Sequence, residues 1–463
     1  AREAVDIATK LLAEFGYFHD GRTYTFADAN EAWQLAIHQG NSWVARKIHD
    51  NEVVYIPNNF MMDKVDLNDK ETWRIEPKQV ERAVKDGRHD AKNPIFNWRK
   101  VVAQESVRHE RWNANRNVLA WKFLTGVEYN DPEKFPYSAV IDRKLGVKDA
   151  MALLRLHEDY IGQDQELYHS KSEGICRTTS HDSIVYNLTA DPTLTEAWKT
   201  LGRPCQSVFV PLYPLAGPAK GTAFTDPATA TKEHFAGTPA MFDYRADFTP
   251  HSVFSASNNA IDYLRGDELA KRTQLIQAEE DKFMKDRAAV TKKAAGLKGE
   301  ERTKFLHDYN QKSYDHVLKI MQAENARLMP NKVKILADVV KADGDGTVDF
   351  ALLGAKGHEV LSANMEATRA GMSANQLNST RQWKNFAPAE KMVYKDVNND
   401  GITDVVFTFK AKDVTKGAVA GAAMDLWLYT QINGHRVTGF DVVPVENDKV
   451  KMNKGARDGK GLL

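Results

Sequence analysis

The chain has 463 residues, of which 42% are hydrophobic and 27% are charged, and its 63 basic and 63 acidic residues cancel. This composition is typical of a folded protein with two or three domains and excludes an intrinsically disordered chain. A net charge of zero gives no overall field toward nucleic acid or an anionic membrane, so we expect neither as a partner.

The region from Ala1 to about Tyr263 mixes short helix and strand patterns. AREAVDIATKLLAEFGY predicts an amphipathic helix rather than a signal peptide, with an apolar face made of Ala4, Ile7, Ala8, Leu11 and Leu12. EAWQLAI, WVARKI and VVYIPNNF alternate apolar and polar residues, as half-buried antiparallel strands do. Helical spacing predicts further helices over 77–85 and 147–160.

A helical hairpin is predicted over about 266–329. Its first helix repeats apolar residues every seven positions, GLKG breaks the pattern, and Pro330 ends the second helix; the repeat is Leu269, Ile276, Phe283 and Val290. A coiled-coil partner would explain this repeat. Packing onto the body of the same domain is the commoner arrangement for a hairpin of this length.

The remainder of the chain is predicted to be β. Short strands with Gly, Asn and Asp in their turns indicate an all-β sandwich over 331–450, followed by a loose tail over 451–463. The most apolar stretch, GAVAGAAMDLWLYTQI, contains Asp425 and is shorter than the ~20 residues that span a bilayer. We therefore expect no membrane span.

One loop has the residue types of a calcium site. DVNNDGITD supplies four oxygen donors around a glycine, which suits a hard cation; the donors are Asp396, Asn398, Asp400 and Asp404. An EF-hand is excluded because Phe407 occupies the position of its bidentate glutamate. A structural calcium loop and an Asx-rich turn without an ion both remain open.

Cys176 and Cys205 are the two cysteines of the chain, 29 positions apart. A disulfide between them would stabilise the fold by about 3–4 kcal/mol, and two free buried thiols are the alternative. A nucleophilic pair of Cys176 with His181 is not favoured, because nucleophile and base must meet in space and a separation of five residues in sequence does not indicate that they do. Histidines with zinc-site spacing are missing from the sequence, so we expect no catalytic cofactor.

Six segments in order resemble one family: AREAVDIATKLLAEFGY, FADANEAWQLAI, SWVARKI, FPYSAVIDRKLGVKDAMALLRLHEDY, GICRTTSHDS and GRPCQSVFVPLY. They resemble the cysteine-nucleophile dipeptidases of the N-terminal nucleophile hydrolase superfamily, relatives of the secernins. The resemblance covers about 1–328 and implies an α+β fold, in which a domain over 1–330 forms an αββα sandwich with the helical hairpin as an insertion and the C-terminal all-β sandwich follows. It also implies hydrolysis of a short peptide by an N-terminal cysteine thiolate, with its own α-amino group as base.

The resemblance implies roles for three residues of this chain. Asn58 in IPNNF matches the family's AN-x-F asparagine and would serve the oxyanion hole or hold the substrate backbone, with Asn59 as the neighbouring candidate. Arg177 in ICR matches a family arginine and would orient the nucleophile or bind a carboxylate. The structural alternatives are that Asn58 caps a turn and that Arg177 pairs with a surface acid.

The family places its nucleophile ahead of the AREAV helix, and Ala1 has no nucleophilic atom. We therefore expect a segment or separate chain before Ala1 to carry the cysteine. The alternative is a secreted, non-catalytic binding or assembly protein that keeps the hydrolase fold. The DVNxDGxxD turn resembles sandwiches appended to secreted bacterial proteins, which implies a periplasmic or secreted location. Assembly into a homo-oligomer is left open.

Overall fold

A computed structural model covers the chain and describes residues 1–157, 174–177, 180, 182–200, 202–219, 266–328, 332–356, 359–372, 386–416, 418, 420–432 and 435–451. These residues form a mixed α+β fold with several small sheets, and the part after residue 332 is mostly strand. No helix among them combines the length and apolar character needed to cross a membrane.

The helices are α1 (Arg2–Phe15), α2 (Pro77–Lys85), α3 (Trp98–Val102), α4 (Glu105–His109), α5 (Arg111–Thr125), α6 (Val147–Leu154), α7 (Gly266–Gly296), α8 (Gly299–Leu328) and α9 (Ala411–Val414). The strands before the hairpin are β1 (Arg22–Ala27), β2 (Ala32–His38), β3 (Ser42–Ile48), β4 (Glu52–Val54), β5 (Val65–Asp66), β6 (Trp73–Ile75), β7 (Ile95–Phe96), β8 (Ser138–Val140), β9 (Ser183–Asn187), β10 (Glu196–Thr200) and β11 (Val210–Leu212). The strands after it are β12 (Val333–Ile335), β13 (Val340–Lys341), β14 (Thr347–Leu352), β15 (Arg369–Met372), β16 (Ala387–Pro388), β17 (Lys391–Lys395), β18 (Asp404–Lys410), β19 (Ala422–Ile432) and β20 (His435–Glu446).

The first sheet has the antiparallel order β1-β2-β3-β6. Its central strands β2 and β3 are buried on both faces, so the expectation of half-buried strands is wrong. Helix α1 covers the face that carries Trp33 and Leu35, while the opposite face packs on a core that includes Met62 and Trp98. Gln34 lies on that second face and accepts a hydrogen bond from the hydroxyl of Tyr137 at 2.7 Å. The alternation of apolar and polar residues alone would place Gln34 in solvent, whereas this hydrogen bond allows it to be buried.

Helix α1 forms as predicted, but its buried face differs from the predicted one. Val5 and Leu12 are buried against the sheet, whereas Ile7 and Leu11 are 53% and 50% exposed. The residues of this helix region that pack on the sheet are Ala1, Val5, Ala8 and Leu12. Their spacing of four, three and four residues is that of one helix face. Ile7 and Leu11 lie one position off that face.

Two predicted elements end earlier than expected. The strand expected over 53–60 stops at Val54, and the following loop contains Pro57 and two asparagines, which do not favour a continued ladder. Helix α6 stops at Leu154 rather than at residue 160, and Tyr160 lies outside the described residues.

The hairpin of α7 and α8 packs on the antiparallel sheet β11-β10-β9, which confirms that the body of the domain covers its apolar face. Ile276 and Phe283 from α7 and Val317 from α8 share a core with Trp198 and Phe209. The side chain of Leu269 and residue Pro330 lie outside what the structure describes.

Two sheets make up the region after residue 332, in the orders β12-β14-β18-β17 and β13-β20-β19-β15-β16. All described pairings are antiparallel except that of β13 with β20. Both sheets contribute to one hydrophobic core, with Phe350 and Phe407 from the first and Leu426 and Val443 from the second. Of the predicted tail, only Lys451 is described.

Candidate functional site

The loop that carries Asn58 is held by a buried asparagine of α5. Asn113 accepts the backbone N–H of Asn58 at 3.1 Å through Oδ1, and its Nδ2 donates to the Asn58 carbonyl at 3.3 Å and to the Val107 carbonyl at 2.9 Å. Asn113 is fully buried, whereas Asn58 is exposed. The backbone of Asn58 is thus fixed, and none of the described residues hydrogen-bonds its side chain.

Asn59 points into the protein. Its Nδ2 donates to the carbonyl of Phe60 at 3.1 Å and to Sδ of Met61 at 3.2 Å. Its Oδ1 is buried and accepts no hydrogen bond from any described residue. The two neighbouring asparagines therefore differ, one offering an exposed amide and the other a buried acceptor.

Arg177 lies close enough to Tyr55, at the start of this loop, for its charge to affect the phenol. Burial raises the pKa of the Tyr55 phenol, and the positive charges of Arg116 and Arg177 act in the opposite direction. The Tyr55 ring meets Trp121 of α5 edge to face, with 6.5 Å between centroids. The fold therefore brings Arg177 toward the segment that ends in Asn58, although well over a hundred residues separate them in sequence.

Several buried polar atoms in this region lack a hydrogen-bond partner among the described residues. They are Asn59 Oδ1, Asn117 Oδ1, Trp121 Nε1 and Arg177 Nε. A buried polar group without a partner costs about 1–3 kcal/mol. These four donors and acceptors could form hydrogen bonds with the polar groups of a ligand or of additional polypeptide, which would remove this energetic cost.

Sequence reasoning missed Tyr55, Asn113 and Asn117. The signal was present in RWNANRNVLAWKFLT, where two asparagines four residues apart share a helix face with Trp121. Asparagine is uncommon in a helix interior unless its amide is used.

A cleft of about 550 Å³ is lined by Met62 together with Arg46, Asp63, Trp73 and Tyr137 among others. The Arg46 guanidinium lies 5.3 Å and 5.1 Å from the ring centroids of Trp73 and Tyr137, and it donates to Glu52 at 2.8 Å. Arg46 lies within a strand of mostly apolar residues, and no sequence pattern singles it out.

Cys176 and Cys205 are described as thiols with 3.5 Å between their sulfurs. The disulfide expected from the sequence stays a prediction. His181 lies outside the described residues, and the histidine that the structure brings to these thiols is His157. No sequence motif identifies His157 as a neighbour of these cysteines, because it follows a helix and lies 19 residues before Cys176.

The loop predicted to bind calcium is ordered by its own backbone. Asp396 accepts N–H groups from Asp400 at 3.3 Å and from Gly401 at 2.9 Å, and Asn398 Nδ2 donates to Asp400 Oδ2 at 2.8 Å. The N–H of Gly401 and those of its neighbours lower the pKa of the Asp396 carboxyl. These are the contacts of an Asx-rich turn, and they leave calcium binding a prediction.

Asp404 anchors this loop from inside the β region. It is fully buried, and its two oxygens accept N–H groups of Gly354 and Val397, each at 2.8 Å. Within the described part of the chain, the one group of three Cys, His or acidic ligands within 4.8 Å of one another is formed elsewhere, by His157 and the two cysteines.

Comparison with known proteins identifies the family to which the N-terminal half of the chain is similar. The profile of peptidase family C69 matches residues 1–235. A probable dipeptidase of Latilactobacillus sakei is 23% identical over 46% of this chain and 47% of its own length. A probable dipeptidase B of Lactococcus lactis is 27% identical over 55% and 52%, and a dipeptidase of Bifidobacterium longum is 22% identical over 65% and 60%. The chain spans about half the length of the curated relatives it matches.

Proposed function

The chain belongs to peptidase family C69, and from this premise we propose that it forms the substrate-holding part of a cysteine-type dipeptidase. One observation carries the proposal beyond the family: buried Asn113 hydrogen-bonds both backbone groups of Asn58, whose side chain remains exposed. Polarising a scissile carbonyl requires a fixed donor, and recognising a free peptide terminus requires a charge.

Asn58 is our candidate for the oxyanion donor. Its main chain cannot shift without breaking both hydrogen bonds to Asn113, while its side-chain amide is exposed. A preorganised N–H donor stabilises the negative charge that develops on the carbonyl oxygen without reorganising during the reaction. Asn59, whose buried Oδ1 can accept a hydrogen bond, is the candidate for holding a substrate N–H.

Arg177 is our candidate for binding the carboxylate of a short peptide. Its planar guanidinium can donate two parallel hydrogen bonds to a carboxylate, and its buried Nε has a hydrogen available. Charge recognition of a terminus would limit the enzyme to peptides short enough to place that terminus one residue from the scissile bond.

We further propose that the nucleophilic cysteine lies on polypeptide outside residues 1–463. Cys176 is fully buried and Cys205 is its sulfur neighbour, so neither is a freely exposed thiol. The thiolate would attack the carbonyl carbon, and the C–N bond would break as the α-ammonium group returns its proton to the leaving amine. Water would then release the acyl group. The same family argument underlies the proposed αββα layering, in which α1 and the β1-β2-β3-β6 sheet form one α and one β layer.

The test uses the natural full-length protein with dipeptide substrates. We expect activity that iodoacetamide abolishes, that survives in a Cys176→Ser/Cys205→Ser variant, and that falls about 100- to 1000-fold in kcat for Asn58→Ala. Asn68→Ala, at an exposed asparagine of the same domain, is the matched control and should be active. Loss of activity in a double serine variant that circular dichroism shows to be folded, with KM unchanged and kcat lost, would place the nucleophile within the chain. Complete inactivity of the natural protein would favour a non-catalytic binding or assembly role.

We also infer a periplasmic or secreted location and a structural calcium ion at the Asp396 loop. Both rest on the resemblance of the β region to secreted proteins and on the oxygen donors of that loop. Cell fractionation tests the first, since recovery of the protein in the cytoplasmic fraction would contradict it.

A further inference from the structure

Three side chains from separate stretches meet beside Arg177. His157 follows α6, Cys176 belongs to the short segment 174–177, and Cys205 lies between β10 and β11. One ligand atom from each lies within 4.8 Å of the other two, and the sulfurs are 3.5 Å apart. Cys176 is fully buried and the other two are half-buried. The group is therefore enclosed while keeping some access to solvent.

The backbone holds Cys176 against the end of α6. Its N–H donates to the carbonyl of Leu156 at 3.0 Å, which sets it next to His157. The turn leading into it is tight: a Cβ at Gly174 would lie 2.6 Å from the Cys176 carbonyl oxygen and 3.4 Å from that of Leu156. Only glycine fits there, so this approach is specified by the sequence.

Two arginines fix the loop around Cys205. Arg155 Nε donates to the carbonyl of Pro204 at 2.8 Å, and Arg272 Nη2 donates to the carbonyl of Gln206 at 2.5 Å. The residues on both sides of Cys205 are thus tied to α6 and α7. The thiol is held in place before any ligand arrives.

Two thiols and an imidazole are the ligand set that zinc and similar borderline ions prefer. With zinc–sulfur bonds of 2.3 Å in a tetrahedron, two sulfurs lie about 3.8 Å apart, close to the separation seen here. A disulfide requires about 2.05 Å and has no use for a histidine. Three protein ligands leave a fourth position for water or another donor.

Charge does not exclude a cation. Arg155 is paired with Glu280 at 2.5 Å, and Arg272 lies 3.6 Å from Glu324, so the two arginines that hold the Cys205 loop have carboxylates of their own. Two cysteine thiolates would balance a divalent ion.

We propose that His157, Cys176 and Cys205 bind a zinc-class metal ion, which ties the end of α6, the segment 174–177 and the β10–β11 loop together. Because Arg177 follows Cys176 directly, the ion would also restrict where its guanidinium can lie. The metal site stands independently of the proposed peptidase activity.

The test is cobalt binding by the reduced, metal-free, full-length protein. We expect one equivalent of Co²⁺ with a thiolate-to-cobalt charge-transfer band, displaced by Zn²⁺. His157→Gln and Cys205→Ser should each weaken binding by roughly tenfold or more, whereas His49→Gln, at an exposed histidine, should match the wild type.

Two results would overturn the proposal. One is a wild-type protein without the charge-transfer band, or with a band that persists unchanged in Cys205→Ser, since Cys205 would then not be a ligand. The other is a Cys176–Cys205 disulfide in protein alkylated at the moment of cell lysis, because bonded sulfurs cannot act as thiolate ligands. The wild-type measurement does not depend on any variant folding, and circular dichroism shows whether the variants are folded.

Discussion

Asn113 holds Asn58 from both sides, with 3.1 Å from its Oδ1 to the Asn58 nitrogen and 3.3 Å from its Nδ2 to the Asn58 oxygen. A single fully buried side chain thus fixes a surface loop that has no strand partner. The consequence is that this loop's geometry depends on α5 as well as on contacts within the loop.

We therefore expect Asn113→Ala to destabilise the protein by about 3 kcal/mol, because three hydrogen bonds are lost and buried groups are left without partners. It should also lower dipeptidase activity as strongly as Asn58→Ala. Urea denaturation followed by circular dichroism measures the first effect and a dipeptide assay the second. Lys122→Ala, exposed on the same helix, is the control. An Asn113→Ala variant with normal stability would mean that the loop is held by other contacts.

The largely buried ion pair of Arg155 and Glu280 should stabilise the protein far more than the exposed pair of Lys148 and Asp281. Glu280 is 8% exposed, receives both terminal nitrogens of Arg155 and also accepts the N–H of Phe209 at 2.9 Å. We expect Glu280→Ala to cost about 3–5 kcal/mol, because it leaves a partly buried guanidinium unpaired. The matched control is Lys148→Ala, which breaks the exposed pair with Asp281 and should cost about 1 kcal/mol or less. Equal urea midpoints for the two variants would contradict this ranking.

Glu324 should make the hairpin sensitive to acid. Hydrogen bonds from Arg327 at 2.8 Å and 3.1 Å are the main cause that lowers the pKa of Glu324 below 4.5, and the charge of Arg272 adds to them. A carboxyl whose pKa is lowered on folding stabilises the protein above its unfolded pKa, and this stabilisation disappears as pH falls through the folded pKa.

The expected result is that Glu324→Gln is less stable than the wild type near neutral pH, and that the difference shrinks as the pH falls below 4.5 and through the lowered pKa of Glu324. Urea midpoints measured across that range test it. Parallel curves for the two proteins would show that Glu324 makes no pH-dependent contribution.

If the Asp396 loop binds calcium, the ion should stabilise the wild-type protein by about 2.7 kcal/mol at a concentration 100 times its Kd. Asp400→Ala should lose this gain, and Asp345→Ala, at an exposed aspartate paired with Lys412, should keep it. Differential scanning calorimetry with and without chelator gives the comparison. A wild-type Tm that calcium does not change would leave the loop as an Asx-rich turn.

The sequence predicted local patterns better than their tertiary environment. The helix over α1, the hairpin with its body-facing side and the strand-rich region after residue 332 follow from periodicity, because the spacing of apolar residues is fixed by helix and strand geometry. The burial of β2 on both faces could not be read from its alternation, since Gln34 is satisfied by Tyr137, over a hundred residues away.

The candidate site divides in the same way. Asn58 and Arg177 were identified because they match motifs of the family, whose functional residues are known by their positions in those motifs. Asn113 and His157 act through contacts that exist only after folding, one with a loop 55 residues away and one with two cysteines from different segments. No local spacing rule reports such contacts.

Phe15 and Phe18 are 73% and 95% exposed, and Ile7 and Leu11 of α1 are also exposed, whereas five tryptophans are fully buried: Trp33, Trp98, Trp121, Trp198 and Trp427. Environment-sensitive dyes that fluoresce on apolar surface will therefore bind the native protein, and their fluorescence will already be high before thermal unfolding begins. Intrinsic indole emission will instead report the loss of the core, which makes it the better optical probe of unfolding for this chain.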